Sequence, residues 1–133
     1  MIKIKYYHGG KAVFSVFLCE KDYLVRFDII ELVQNCFADA HLHISDSLKS
    51  MTEDLKGITT QSVVMVSGTT EEINDFFAHQ ADSRERAFVV IGDEYGDVVP
   101  EGHYVATVAK PFSSEVLSNG IKSAICALRS SRP

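Results

Sequence analysis

Apolar and polar positions along this chain follow two rhythms, one of period two or nearly continuous, the other close to 3.6. Residues 2–7, IKIKYY, alternate as a strand does, and His8-Gly9-Gly10 signals a turn. Residues 12–19, AVFSVFLC, form a nearly continuous apolar run, the pattern of a strand buried on both faces. The polar cluster Glu20-Lys21-Asp22 ends that run. A helix is predicted from about Tyr23 to Phe37, with Val25, Ile29, Leu32 and Cys36 as its inward stripe. A short strand follows at about 40–44. The next helix is capped by Ser45 or Asp46, turns Leu48, Met51 and Leu55 inward and stops at Lys56-Gly57. Residues 62–66, SVVMV, are a further apolar strand. Thr69-x-x-Glu72 is a capping box that opens a third helix, with Ile73, Phe76 and Phe77 facing the core. Residues 87–91, AFVVI, form the next strand, and the glycine-bearing stretch 92–103 reads as loop, one helical turn at most. Residues 104–109 form the last strand. Ser113 or Ser114 then caps a final helix with Leu117, Ile121, Ala124 and Leu128 inward.

Strand and helix thus alternate five times, with the fourth helix short or missing. Alternation of this kind, with strands apolar throughout, predicts an α/β fold whose parallel sheet is covered on both faces. Right-handed crossovers make it doubly wound. The extra N-terminal strand is the exception. If residues 12–19 are central, both their neighbours are already taken. Residues 2–7 must then lie at an edge, project outward or pair with another chain. Lys3 and Lys5 suit an edge that discourages casual pairing. The expected organisation is an extra strand and turn over residues 1–11, then one domain over 12–133.

Composition narrows the function classes. Hydrophobic residues make up 46% and charged residues 23%, an ordinary balance for one globular domain of 133 residues. A net charge of −5 without a Lys/Arg cluster gives no electrostatic footprint for nucleic acid or an anionic membrane. No long apolar run opens the chain, so neither signal peptide nor spanning helix is expected, and a cytoplasmic location is. Cys19, Cys36 and Cys126 are far apart, odd in number and set in apolar patterns, which predicts buried, reduced thiols. His41 and His43 share one strand face, but no third ligand lies near, so no metal site is expected.

In a doubly wound sheet the site lies beyond the carboxyl ends of the central strands. Those ends read Cys19-Glu20-Lys21, Ser67-Gly68, Gly92-Asp93 and Ala109-Lys110-Pro111. Residues 104–112, YVATVAKPF, and 16–33, VFLCEKDYLVRFDIIELV, resemble the receiver domains of two-component response regulators. The first stretch resembles the family's fifth strand, which ends in a lysine followed by a proline, often with a cis bond. The second resembles its first strand, acidic pair and first helix, "LVR" at 24–26 included. The resemblance covers nearly the whole chain from about residue 12. It implies a flavodoxin-like/CheY-like sheet of five parallel strands, with residues 12–133 as the receiver-like domain.

The resemblance also implies a set of working positions, and this chain departs from most of them. Glu20 matches the first of the two carboxylates that hold Mg²⁺ in the family, but Lys21 stands at the second. Ser67 stands where the phosphoacceptor aspartate ends the third strand of the family's sheet. Gly92 stands at the switch Ser/Thr, while Lys110 and Pro111 match the family's Lys-Pro. Phosphotransfer needs a carboxylate to attack phosphorus, a metal to neutralise charge and a lysine to steady the phosphoryl oxygens. Lys21 replaces an attraction for Mg²⁺ with a repulsion, each worth roughly 4 kcal/mol at about 4 Å in a dielectric near 20. A serine hydroxyl needs a base to become nucleophilic, and no histidine follows in a suitable place, so Ser67 is read as a capping or loop residue. Gly92 has no hydroxyl to move, and the family's switching aromatic falls near Ala106 or Thr107, both small. Lys110 or Lys21 is expected to pair with Glu20 and fill the pocket.

No catalytic residue, metal or cofactor is therefore expected. The function these features imply is a non-phosphorylatable pseudo-receiver, an interaction module with a signalling partner such as a kinase, phosphotransferase or regulator. Two other readings remain open. One is a small-ligand or enzymatic domain that binds an anion at Ser67-Gly68-Thr69-Thr70 with help from Lys110. The other is a homodimer paired through residues 1–8.

Overall fold

The computed structural model describes residues 2–5, 14–80, 85–92 and 103–130. In chain order the elements are β1 (Ile2–Lys5), β2 (Phe14–Cys19), α1 (Tyr23–Cys36), β3 (Ala40–Ile44), α2 (Leu48–Leu55), β4 (Ser62–Ser67), α3 (Thr70–Ala78), β5 (Arg86–Ile91), β6 (Tyr104–Val108) and α4 (Ser114–Ser130). The turn expected at residues 8–10 and the loop expected between β5 and β6, with its shortened helix, lie outside the described residues, save for Gly92 and His103 at the loop's two ends.

One six-stranded sheet runs β1-β3-β2-β4-β5-β6. The five strands β2 to β6 are mutually parallel, and β1 pairs antiparallel with β3, Ile2 opposite Ile44. The N-terminal strand is therefore an edge strand of its own chain. β2 has β3 on one side and β4 on the other, so β1 joins the sheet at an edge, beyond β3. The order reverses between β2 and β4, which makes their carboxyl ends the place where side chains can converge from both halves.

Alternation along the strands divides the core into two layers. Val16 and Leu18 of β2, Val63 and Met65 of β4, and Val89 and Ile91 of β5 face α1 and α4. Phe17 and Cys19, Val64 and Val66, and Phe88 and Val90 face α2 and α3. Both faces of the central strands are buried, as their continuous apolar runs require. The inward residues of α2, α3 and α4 are those the spacing predicts.

Caps and glycines account for the helix ends. Asp22 caps α1, accepting from the N–H groups of Leu24 and Val25. Thr69 and Glu72 complete the capping box of α3. Ser113 accepts from Val116 N–H at the start of α4. The cap of α2 is Ser47 rather than Ser45 or Asp46, because Ser45 turns inward to donate to Asp54 at 2.9 Å. Gly57 follows α2 with φ of 82°, a conformation that favours glycine. Gly120 lies inside α4, where a Cβ would come within 2.8 Å of Val108 Cγ2, so a glycine lets the helix approach β6.

The cysteines correct an expectation. Cys19 is buried, but Cys36 and Cys126 are exposed. Cys36 continues the apolar stripe of α1, yet the helix ends there and a cavity of about 410 Å³ opens beside it. Cys126 lies off the Leu117-Ile121-Ala124-Leu128 stripe of α4 and faces outward.

Candidate functional site

Glu20 follows β2 directly and is 3% exposed, an unusual place for a carboxylate without a partner. Its partner is Lys110, which follows β6: the ammonium lies 2.6 Å from Glu20 Oε1, with the lysine side chain 29% exposed. The second oxygen, Oε2, accepts from Asp22 N–H at 3.3 Å. Lys110 also donates to Ser67 Oγ, at the end of β4, at 3.3 Å. That bond is the directed one. The shorter contact with Glu20 is poorly aligned for a hydrogen bond and is chiefly an attraction of charges. The Lys110–Pro111 peptide is cis. Glu20, Ser67 and Lys110 thus form one cluster that spans the ends of three strands.

Lys21 does not join it. The side chain turns outward to Glu72 Oε2, 3.1 Å away, and both partners are well exposed, at 62% and 40%. Glu72 already accepts from Thr69 N–H at 3.0 Å through Oε1. That backbone bond, and then the Lys21 ammonium, hold its carboxyl below the usual range. Gly92 follows β5 on the same rim and donates its N–H to Val108 O at 2.9 Å. It extends the sheet and offers no side chain to the cluster. Under the rim, Cys19 is buried on the α2–α3 side, and burial pushes its thiol up to about 11.

This geometry does not suit Mg²⁺. The ion requires near-octahedral oxygen ligands and usually one or two carboxylates. The one buried carboxylate here already has an ammonium at 2.6 Å. Among the described residues, no group of three or more His, Cys, Asp or Glu could hold a metal. His43 packs its ring on Phe17, centroids 4.4 Å apart, across the β2–β3 register. At the start of α3 the capping box takes up two of the backbone donors an anion would use. The Thr69 and Glu72 N–H groups are satisfied by the capping box, and Lys21 is held by Glu72.

Glu20, Lys21, Ser67, Gly92 and Lys110 follow or end the strands on one rim of the sheet, and Pro111 comes next after Lys110. The pairing partner of Glu20 is Lys110 and not Lys21. Two features escaped the sequence reading. Glu72 serves both its helix cap and Lys21. Tyr23, Leu24 and Phe27, at the start of α1, are exposed by 75%, 78% and 60%. The signal for the second lay in the period: all three fall off the stripe led by Ile29 and Leu32.

No model of a protein family matches the sequence, and no curated protein matches it. Solved structures do match in fold. The response regulator receiver domain protein (CheY-like) from Methanospirillum hungatei JF-1 is 18% identical over 89% of this chain and 98% of its own, with a TM-score of 0.64. The fold is that of response-regulator receiver domains. A response regulator from Colwellia psychrerythraea is 15% identical over 88% of this chain and 98% of its own, TM-score 0.63. The PhyR stress response regulator is 17% identical over 90% of this chain and 46% of its own, TM-score 0.58. The rim lies at the carboxyl ends of this sheet. Its carboxylate is neutralised from within, and a hydroxyl stands at the end of β4. No helix of the described residues is long and apolar enough to cross a membrane.

Proposed function

We propose that this chain is a pseudo-receiver, an interaction module of two-component-type signal transduction that does not accept a phosphoryl group. The observation that carries the reading is the Lys110–Glu20 pair at 2.6 Å, closed over Ser67. A phosphoryl group needs a nucleophile, a counter-ion and a free cation. Here the nucleophile is an unactivated hydroxyl and the cation is engaged. The Ser67 hydroxyl accepts from the Lys110 ammonium, and an ammonium is a donor, not a base that could take the hydroxyl proton.

A module without turnover acts through shape, and α1 offers a face for a partner. Tyr23, Leu24 and Phe27 present a contiguous apolar surface beside the rim, with Arg26 over the Tyr23 ring at 4.7 Å. Aromatic and arginine side chains of this kind are over-represented where proteins bind proteins. A signalling protein is the partner this reading assigns, and the reading holds whether or not a second copy pairs at β1. The anion-binding alternative is weakened by the satisfied cap of α3.

The test is intact-mass spectrometry after incubation with acetyl phosphate and Mg²⁺. The reading expects an unchanged mass. A phosphoryl adduct on the folded protein, mapped to Ser67 or any residue of the rim, overturns it.

A further inference from the structure

Two of the three thiols are exposed, and both line one cavity. Cys36 ends α1, and Cys126 lies about one turn before the end of α4. The two helices pack side by side on one face of the sheet. Both cysteines are exposed, and both line the cavity of about 410 Å³ between the helices, together with Phe37, Asp39, Lys122 and Ile125. A cavity that holds two thiols from different elements is an unusual use of cysteine in a domain whose third thiol is packed into the core.

We propose that Cys36 and Cys126 form a peroxide-oxidisable dithiol, a modification site whose product is a disulfide that ties α1 to α4. One thiolate attacks an oxygen of hydrogen peroxide, breaks the O–O bond and becomes a sulfenic acid, with hydroxide leaving and taking a proton to form water. The second thiolate attacks that sulfur, the S–S bond forms, and the sulfenic oxygen departs as a second water. Two thiols and one peroxide give one disulfide and two waters. The sulfurs lose the two electrons that the peroxide gains.

Three features of the fold favour this outcome over oxidation of each thiol alone. The cavity gives the oxidant entry and the thiols room to meet. Cys36 is the last residue of its helix, followed by a turn at 38–39, and helix ends absorb small movements that helix middles resist. Cys19 provides no competing partner, since it is buried on the opposite face of the sheet. Burial also keeps that thiol protonated at neutral pH. The inference stands apart from the signalling reading, because it uses neither the rim nor a partner protein.

The experiment treats the full chain, at dilution, with one equivalent of hydrogen peroxide and then alkylates it under native conditions. Untreated protein should take two alkyl groups, at Cys36 and Cys126. Treated protein should take none, lose two hydrogens in mass and yield a Cys36–Cys126 linked peptide that dithiothreitol releases. Cys36→Ser should abolish the intramolecular link and leave Cys126 to form sulfenic or sulfinic acid, and Cys126→Ser should do the converse. Persistence of both thiols, separate sulfinic acids in the wild type, or disulfides only between chains would each overturn the proposal. Near-ultraviolet circular dichroism of both variants checks that they remain folded.

Discussion

Two ion pairs lie at the same rim and are built from the same residue types, yet they do different work. Lys21–Glu72 is 3.1 Å apart and open to water, with 62% and 40% of the side chains exposed. Lys110–Glu20 is 2.6 Å apart, with the carboxylate 3% exposed. In water a pair like the first is worth about 0–1 kcal/mol, because solvent competes for both charges. The second cannot be judged by its attraction alone. Burial of Glu20 is costly, and Lys110 offsets that cost, so the pair matters mainly through what its loss would leave behind. The lesson is positional: a lysine one residue after Glu20 turns away from it, while a lysine ninety residues later, carried by β6, neutralises it.

Five tests sharpen that contrast. Lys110→Met should have the largest effect, about 3 kcal/mol of lost stability, because it strands a buried carboxylate. Chemical denaturation measures it, and a change within error would show that water already reaches Glu20. Glu20→Gln should cost less, about 1 kcal/mol, since the partly exposed Lys110 can turn to solvent and the amide still accepts from Asp22 N–H. The reverse order of these two losses would refute the burial argument. The double variant should be more stable than the sum of the single losses predicts, as in any coupled pair.

Lys21→Ala should change stability by less than about 0.5 kcal/mol, and its effect should vanish in high salt. A loss comparable to that of Lys110→Met would erase the comparison. The smallest effect is one of pH. Glu72 is held below the usual carboxylate range in the fold, so its contribution is complete above the ordinary value and is lost as pH falls through its own. Wild type should therefore lose slightly more stability on acidification than Glu72→Gln, which retains a capping-box side chain. Equal acid limbs in the two proteins would show that the exposed pair contributes nothing.

Much of this was legible in the chain. Continuous apolar runs between amphipathic stretches imply a parallel sheet, and one capping box, Thr69 to Glu72, fixed the start of α3 to the residue. The convergence of Glu20, Ser67 and Lys110 followed from topology alone, because carboxyl strand ends share one rim. What failed depended on direction and competition. Ser45, Asp46 and Ser47 are all plausible caps, and only the Ser45–Asp54 bond decides among them. The thiol of Cys36 obeys the helical period, yet periodicity does not report where a helix stops. Which lysine reaches Glu20 depends on where neighbouring side chains point, and Glu72 draws Lys21 aside for a reason no spacing encodes.

The central claim is that Lys110 already occupies the electrostatic role at Glu20 that a divalent cation would need. A Mg²⁺ titration of the wild-type protein, followed by the amide resonances of Glu20, Lys21, Ser67 and Lys110, tests it most directly. The account predicts that these four signals stay in place through millimolar Mg²⁺. Saturable shifts concentrated at them would contradict it.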